Sequence, residues 1–286
     1  GVLAIFDKLQ QLSGTKRAII ISATIGLLAG PIILISRNYD DHDRSGRYTA
    51  RDLARNYLES CEPNAILFTH ADNDTYPLWY CQEVEGIRKD VRIVVIPYLN
   101  AGWYIEQLQR KIYDNEALKF TIPLRKYQSG EIDYLYVVPK LKTEQQLDAV
   151  LGFVASDSAK TKLETSDSKR IDYIPTDKVC LQSLDGKAIS IKFEKNGLTK
   201  GDIALWDIIE NNWGQRPVCF SSWTDPEQYG LRNYMQYDGL VYKLTSVFYE
   251  GKGVLDVGQV KSDVTYNILM KKCTWNCLCD ESVYLD

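Results

Sequence analysis

Residues 64–88 read NAILFTHADNDTYPLWYCQEVEGIR, and this stretch constrains the fold more than any other part of the chain. It opens with an apolar run at 65–68, which is typical of a buried strand. A polar turn at 69–75 follows, and Pro77 then suits the first turn of a helix that ends at Gly86. In open α/β sheets such a turn lies at the carboxyl edge of the strands, where ligands usually bind. We therefore expect the functional surface there.

A second strand–turn–helix unit follows the first. The apolar run 91–96 predicts a strand, the segment 97–102 predicts a turn, and 103–112 predicts a helix. This alternation predicts an α/β fold with a Rossmann-like, partly parallel sheet that carries helices on both faces. Neither turn contains a G-x-G-x-x-G or Walker motif, so we expect no dinucleotide site and no ordinary nucleotide site.

The rest of the soluble region carries weaker patterns. Apolar spacing predicts helices at 143–154, 201–212 and 228–235, whereas the polar segment 156–170 predicts a loop. Two apolar runs around Asp185 and Gly186 predict a β-hairpin. Three strands are expected to be neighbours in the core, with the first two parallel: 66–68, 93–96 and 218–220.

The chain also contains eighteen consecutive residues without charge, at 18–35. That length is at the lower end of what a bilayer-spanning helix needs, and the alternative is a buried helix of a soluble protein. Charges flank the run on both sides, so they do not indicate its orientation. The predicted organisation is an amphipathic lead-in helix, a single hydrophobic transmembrane helix, an α/β soluble domain and a tail or the start of a further region: 1–17, 18–36, 37–250 and 251–286.

Composition narrows the possible partners and cofactors. The formal net charge is -4, which gives no overall field for nucleic acid. The seven cysteines form no complete disulfide framework. Cys273, Cys277 and Cys279 cluster near the end, but their spacing fits zinc poorly. We therefore expect no metal and no cofactor.

Three arginines follow the hydrophobic run: Arg44, Arg47 and Arg51. They could form a membrane-proximal basic patch that touches anionic headgroups or a lipid-linked phosphate. The alternative is an ordinary solvated segment of mixed charge in which Asp43 or Ser45 caps the next helix.

The acidic turn Asp72-Asn73-Asp74 has three possible roles. Its side chains could cap the helix that follows, because they accept bonds from free N–H groups and complement the helix dipole. They could instead bind sugar hydroxyls, with aromatic rings stacking on the sugar. They could also hold a divalent cation, although no third ligand can be identified. The candidate ligand-binding residues are Asp72, Asn73, Asp74, Tyr76, Trp79, Asn100 and Trp103.

Three segments carry a resemblance to a known family: DDHDRSGRYTARDLARNYLESC, NAILFTHADNDTYPLWYCQEVEGIRKDVRIVV and LNAGWYIEQLQRK. They resemble the region after the last transmembrane helix in a bacterial family of multi-span membrane proteins, long described as a domain of unknown function. That family is related to the transmembrane protein O-mannosyltransferases. The segments place His70 and Ala71 before the acidic trio, where the family pattern commonly differs.

The resemblance implies a parent protein that resembles glycosyltransferases using polyprenyl-phosphate sugars. The family's catalytic carboxylates belong to a membrane portion that this sequence does not contain, so no catalytic residue is carried over. The implied function is a non-catalytic domain that assists acceptor or glycan binding at the surface of the inner membrane, on the periplasmic side. Its implied partner is the membrane-embedded portion of the same polypeptide. The alternative is a stand-alone α/β hydrolase or sugar transferase that uses His70, Asp72 and Asp74.

Overall fold

The computed structural model describes residues 2–43, 45–46, 48–182, 186, 188–250, 260 and 262–275. The chain divides into two compact units, Gly1–Tyr48 and Thr49–Asp286.

The first unit is helical. It contains α1 (Val2–Ser13) and α2 (Thr15–His42), separated by Gly14 at φ 83°. The uncharged run therefore lies in one continuous helix, as predicted, and that helix extends beyond the run at both ends. Its segment Thr15–Tyr39 is long and apolar enough to cross a membrane, and an 18-residue window within it has a mean hydropathy of 2.5. Large apolar side chains stand exposed along it, including Leu27 at 74%.

The second unit mixes helices and strands. Its helices are α3 (Thr49–Ser60), α4 (Asp72–Glu83), α5 (Gly102–Leu108), α6 (Leu147–Ala155), α7 (Lys200–Asn212) and α8 (Ser262–Lys271). Its strands are β1 (Ile66–Thr69), β2 (Arg92–Val95), β3 (Tyr134–Val137), β4 (Gln145–Gln146), β5 (Lys162–Glu164), β6 (Arg170–Ile174), β7 (Lys178–Gln182), β8 (Ala188–Lys192), β9 (Gly197–Thr199), β10 (Val218–Ser221), β11 (Met235–Asp238) and β12 (Val241–Leu244).

The main sheet has the strand order β11-β12-β10-β1-β2. Strand β1 runs parallel to both β10 and β2, whereas β12 runs antiparallel to β10 and β11. The predicted neighbourhood of the three core strands is confirmed, and so is the parallel pairing of the first two. Strand β2 ends at Val95, one residue earlier than predicted, because a 3-10 helix begins at Ile96 and Pro97 has no N–H for a ladder.

Helices cover both faces of this sheet. On one face Leu67, Ile93 and Cys219 pack with buried residues of α3 and α4. On the other face Phe68 and Val94 pack in a larger cluster that also contains buried residues of α5, α6 and α7. The chain therefore has the predicted α/β architecture with a partly parallel sheet.

Two smaller sheets have the orders β5-β6-β3-β9 and β4-β7-β8. The antiparallel pair β7–β8 confirms the predicted hairpin, although Asp185 in its turn lies outside the described residues. Thr199 caps α7 by accepting the N–H of Asp202.

Two local predictions in this region were wrong. The segment predicted as a loop contains the short strand β5, because pairing with β6 outweighs its polar composition. The helix predicted at 228–235 is replaced by two 3-10 turns, Pro226–Tyr229 and Arg232–Tyr234, and by the start of β11.

Helix α8 follows the main sheet and contacts α3 and β11. The Asn56 side chain joins this region to α3, because its amide donates to the carbonyl of Thr274 at 2.8 Å and accepts the N–H of Thr274 at 2.7 Å. Gly239 lies against Ser60 and Ile268, where a Cβ atom would come within 2.4 Å of the Ser60 hydroxyl oxygen. Close packing therefore extends to residue 274.

Candidate functional site

The turns after β1 and β2 meet at the carboxyl edge of the main sheet. Because the two strands are parallel, both end on the same side. Tyr76, in the first turn of α4, places its hydroxyl 3.3 Å from the hydroxyl of Tyr98, which lies in the 3-10 helix after β2. The two segments that the sequence singled out are therefore adjacent.

Five rings form a continuous aromatic cluster here: Tyr76, Trp79, Tyr98, Trp103 and Tyr104. Neighbouring ring centroids lie between 5.6 and 6.4 Å apart. Trp103 is 61% exposed and Tyr76 is 48% exposed, so the cluster presents aromatic surface to solvent. Large rings that combine an apolar body with a polar tip are common where proteins bind ligands.

The cluster also contains two rings that the sequence analysis missed. Tyr104 is buried, its hydroxyl accepts the N–H of Val95 at 2.9 Å, and burial raises its pKa to about 12. Tyr98 touches three of the other rings. The position of Tyr98 directly after a strand and a proline was the signal in the sequence that could have identified it.

Tyr76 keeps its proton across the physiological pH range. Its hydrogen bond with Tyr98 and the nearby negative charge of Asp72 raise its pKa to about 12. The hydroxyl can therefore donate or accept a hydrogen bond to a ligand.

Asp74 points into the protein. It is 2% exposed, and its carboxylate accepts the N–H groups of His70 at 3.1 Å and Ala71 at 2.9 Å. It also accepts the hydroxyl of Ser221 at 2.6 Å, which ties α4 to the end of β10. Asp74 thus satisfies free N–H groups at the start of α4 and complements its dipole.

The other polar candidates lie at the surface. Asp72 and Asn73 are exposed in the first turn of α4, with Asp72 beside Tyr76. Asn100 is exposed as well, but its side-chain oxygen accepts the N–H of Gly201 at 3.0 Å. Asn100 therefore binds the first turn of α7. In the acidic turn, Asp72 and Asn73 are the members that face outward.

Only Arg51 of the predicted basic patch can be placed, since Arg44 and Arg47 lie outside the described residues. Its guanidinium bonds Asp52 at 2.7 and 2.9 Å and lies 3.8 Å from Glu85. Two carboxylates therefore surround this arginine.

No group of three or more His, Cys, Asp or Glu side chains in the described part of the chain is arranged to hold a metal ion. Cys273 is a free thiol, and Cys277 and Cys279 lie outside the described residues.

Two cavities flank Trp103. The first, the α4–α5 cleft, has a volume of about 360 Å³ and runs beside β2, the last strand of the sheet. Its lining residues include Trp79, Lys89, Arg92, Ile93, Trp103 and Tyr104. The second, the polar pocket, is lined by Asn100, Ala101, Gly102, Trp103, Gln128, Ser129, Asp133 and Lys200.

Comparison with known proteins places this chain in a family. A model of the family described as TMEM260-associated domain 2 matches residues 50–189 and 182–264, which is well over half of the chain. No curated protein and no solved structure matches the chain. The matched segments contain the main sheet, the aromatic cluster and both cavities. The chain belongs to the TMEM260-associated domain 2 family, a domain associated with a transmembrane protein.

Proposed function

We propose that residues 49–286 form a non-catalytic binding domain of a glycosyltransferase-like membrane protein. In this proposal the domain holds a glycan or a protein acceptor near the membrane surface, and the membrane-embedded portion of the same polypeptide performs the chemistry. The family membership and the apolar segment Thr15–Tyr39 support the association with a membrane.

The aromatic cluster is the observation that carries the proposal. Trp103 and Tyr76 expose large parts of their rings at a sheet edge where α/β proteins bind ligands. A sugar ring has an apolar face and a polar rim, so it matches exposed rings bordered by hydrogen-bonding groups. Asp72 and the Tyr76 hydroxyl provide such groups at one end of the cluster.

The polar pocket provides hydrogen-bonding groups at the other end. The exposed side chain of Asp133 forms an ion pair with Lys200, whose ammonium also donates to the carbonyl of Gln128 at 3.2 Å. Trp103 lines this pocket as well as the α4–α5 cleft, so a ligand stacked on Trp103 could also reach carboxylate and amide groups.

The resemblance to a bacterial family suggests which membrane the protein spans and on which side the domain lies. A relation to the transmembrane protein O-mannosyltransferases would place the span, residues 18–36, in the inner membrane and the domain in the periplasm. The basic patch of Arg44, Arg47 and Arg51 would then follow the span directly. The engagement of Arg51 by Asp52 and Glu85 favours a structural role for that member of the patch.

An array of glycans and acceptor peptides tests the proposal when it is probed with the full chain in detergent. We expect Trp103→Ala to weaken binding by about two- to tenfold, since stacking on one ring is worth about 0.5–1.5 kcal/mol. Trp103→Phe should keep most of the binding. Tyr136→Ala removes a ring that is 52% exposed outside the cluster and serves as the matched control. Binding that survives Trp103→Ala, or no binding at all, would refute the proposal.

A further inference from the structure

The floor of the α4–α5 cleft contains an arginine whose bonding is incomplete. Arg92 opens β2, lines the cleft and is 4% exposed. Its Nη2 atom donates to the backbone carbonyls of Gln107 and Leu108 at 3.1 Å and of Arg110 at 3.2 Å. Its Nη1 atom is also buried and finds no hydrogen-bond partner among the described residues.

A structural role, in which Arg92 holds the end of α5, explains only part of this arrangement. A cation near the last carbonyls of a helix is stabilising, which accounts for Nη2. It leaves Nη1 unsatisfied, and a buried polar group without a partner is destabilising. It also leaves the charge unbalanced, because burial lowers the pKa of Arg92 and no carboxylate in the described part of the chain forms an ion pair with it.

A second buried guanidinium adds to the positive charge. Arg216 bonds the carbonyl of Asn64 at 2.8 Å and the side-chain oxygen of Asn115 at 2.8 Å, and Asn115 lines the cleft. Burial, followed by the nearby charge of Arg92, lowers the pKa of Arg216 to about 10, although the charges of Glu116 and Asp90 act in the opposite direction. The two arginines therefore repel each other, and an anion in the cleft would relieve that repulsion.

The wall of the cleft carries a third cation and two large rings. The Lys89 ammonium lies 4.5 Å from the centroid of the Tyr113 ring. One acid, Glu83, also lines the cleft, and its carboxylate accepts the Tyr113 hydroxyl. Trp79 and Trp103 provide apolar surface at the cleft, in a volume typical of small-molecule sites.

We propose that the α4–α5 cleft binds a small organic acid, with its carboxylate paired to Arg92 and its ring against Trp79 and Trp103. The Lys89 ammonium adds attraction at the rim. This site is argued from Arg92 and Lys89 rather than from the exposed rings, so it can fail while the proposed glycan or acceptor contact holds.

Phenylacetate and its neutral analogue phenylacetamide test the proposal without altering the protein. Each is titrated into the full chain in detergent while the indole N–H signals are followed by NMR. We expect phenylacetate to shift the Trp79 and Trp103 signals and to bind at least about tenfold more tightly than phenylacetamide, because charge-assisted bonds are about twice as strong as neutral ones. Equal affinities, or no shift with either compound, would overturn the proposal.

Two variants locate the carboxylate. Arg92→Gln should abolish the preference for phenylacetate over phenylacetamide. Because Arg92 is buried and that variant could lose its fold, Lys89→Gln provides the second measurement. We expect Lys89→Gln to weaken phenylacetate severalfold at an unchanged melting temperature, while Lys169→Gln, at an exposed lysine elsewhere, has no effect. An unchanged preference in folded Arg92→Gln, or unchanged affinity in Lys89→Gln, would contradict this assignment.

The same variants separate this site from the proposed function. Lys89→Gln should leave glycan or acceptor binding on the array intact, whereas Trp103→Ala should weaken both kinds of ligand. Loss of array binding in Lys89→Gln would mean that the cleft has no acid-specific role of its own.

Discussion

Asp72 and Asp74 stand two positions apart in one helical turn, yet the fold places them in different environments. Asp74 is buried against the end of β10, where Ser221 donates to it, while Asp72 stays in solvent beside Tyr76. Capping and ligand binding call for the same residue types, so the sequence could identify the turn but not divide its roles. This difference between the two aspartates depends on the contact of Asp74 with Ser221. Ser221 lies far away in the chain, so the contact depends on how the strands align.

Asp74→Asn should destabilise the domain. The substitution removes the charge that accepts two backbone N–H groups and the Ser221 hydroxyl, so the free energy of unfolding should fall by about 1–3 kcal/mol. Asp72→Asn is the matched control and should change it by less than about 0.5 kcal/mol. Chemical denaturation measures both values. Equal effects of the two substitutions would show that Asp74 is not the structural member of the pair.

Glu210 should make stability depend on pH. Burial, followed by the charges of Asp148 and Asp207, raises its pKa from 4.5 to about 7. Its Oε2 atom has no hydrogen-bond partner among the described residues. The folded chain therefore holds this proton more tightly than the unfolded chain, and stability falls as the pH rises from about 4.5 through about 7.

Glu210→Gln removes this penalty. Its melting temperature should exceed that of the original protein at about pH 8, and the difference should vanish near pH 4, where the carboxyl is protonated in both states. Glu131→Gln, at an exposed glutamate, should show no such pH dependence. A difference that is the same at both pH values would contradict the raised pKa of Glu210.

Among the elements, the unit β1–α4–β2 could be predicted because its strands are continuous apolar runs and its helix starts after a capping turn. The short strand β5 could not, since it carries polar, half-exposed residues and forms because it pairs with β6. The burial of Arg92 could not be predicted for a related reason. A charged residue opening an apolar run looks like a strand end near solvent, and its burial depends on the carbonyls that end α5.

Two glycines in helices should respond oppositely to alanine. In α7, a Cβ atom on Gly201 would lie 2.7 Å from the side-chain nitrogen of Asn100, so Gly201→Ala should break that contact and cost about 1–3 kcal/mol. In α6, Gly152 has open space around it, and Gly152→Ala should stabilise by up to about 1 kcal/mol. Thermal unfolding compares the two. A stabilising Gly201→Ala would show that Asn100 does not fix the start of α7.

At the scale of the whole molecule, the chain consists of a helical unit and an α/β unit with its own core. Every residue of the two large apolar clusters lies between Ala54 and Leu244. The hydrophobic run and the α/β domain could be separated in the sequence because each has its own pattern. The contact of α8 with α3 could not be predicted, since it joins distant segments through Asn56 and Gly239.

Deleting residues 1–48 should leave a domain that folds cooperatively, because it keeps the complete core. Urea unfolding followed by circular dichroism and by tryptophan fluorescence should give coincident transitions. Insoluble protein, or transitions that separate, would mean that the first unit is needed for folding.

The most direct test of the binding role follows the indole N–H signals during titration with the glycans and acceptor peptides selected on the array. We expect the Trp103 and Trp79 signals to shift together and saturably. Trp223 and Trp275, which are 54% and 37% exposed outside the aromatic cluster, should keep their positions. Shifts confined to Trp223 or Trp275, with Trp79 and Trp103 unmoved, would place binding elsewhere and contradict the assignment of this sheet edge as the binding surface.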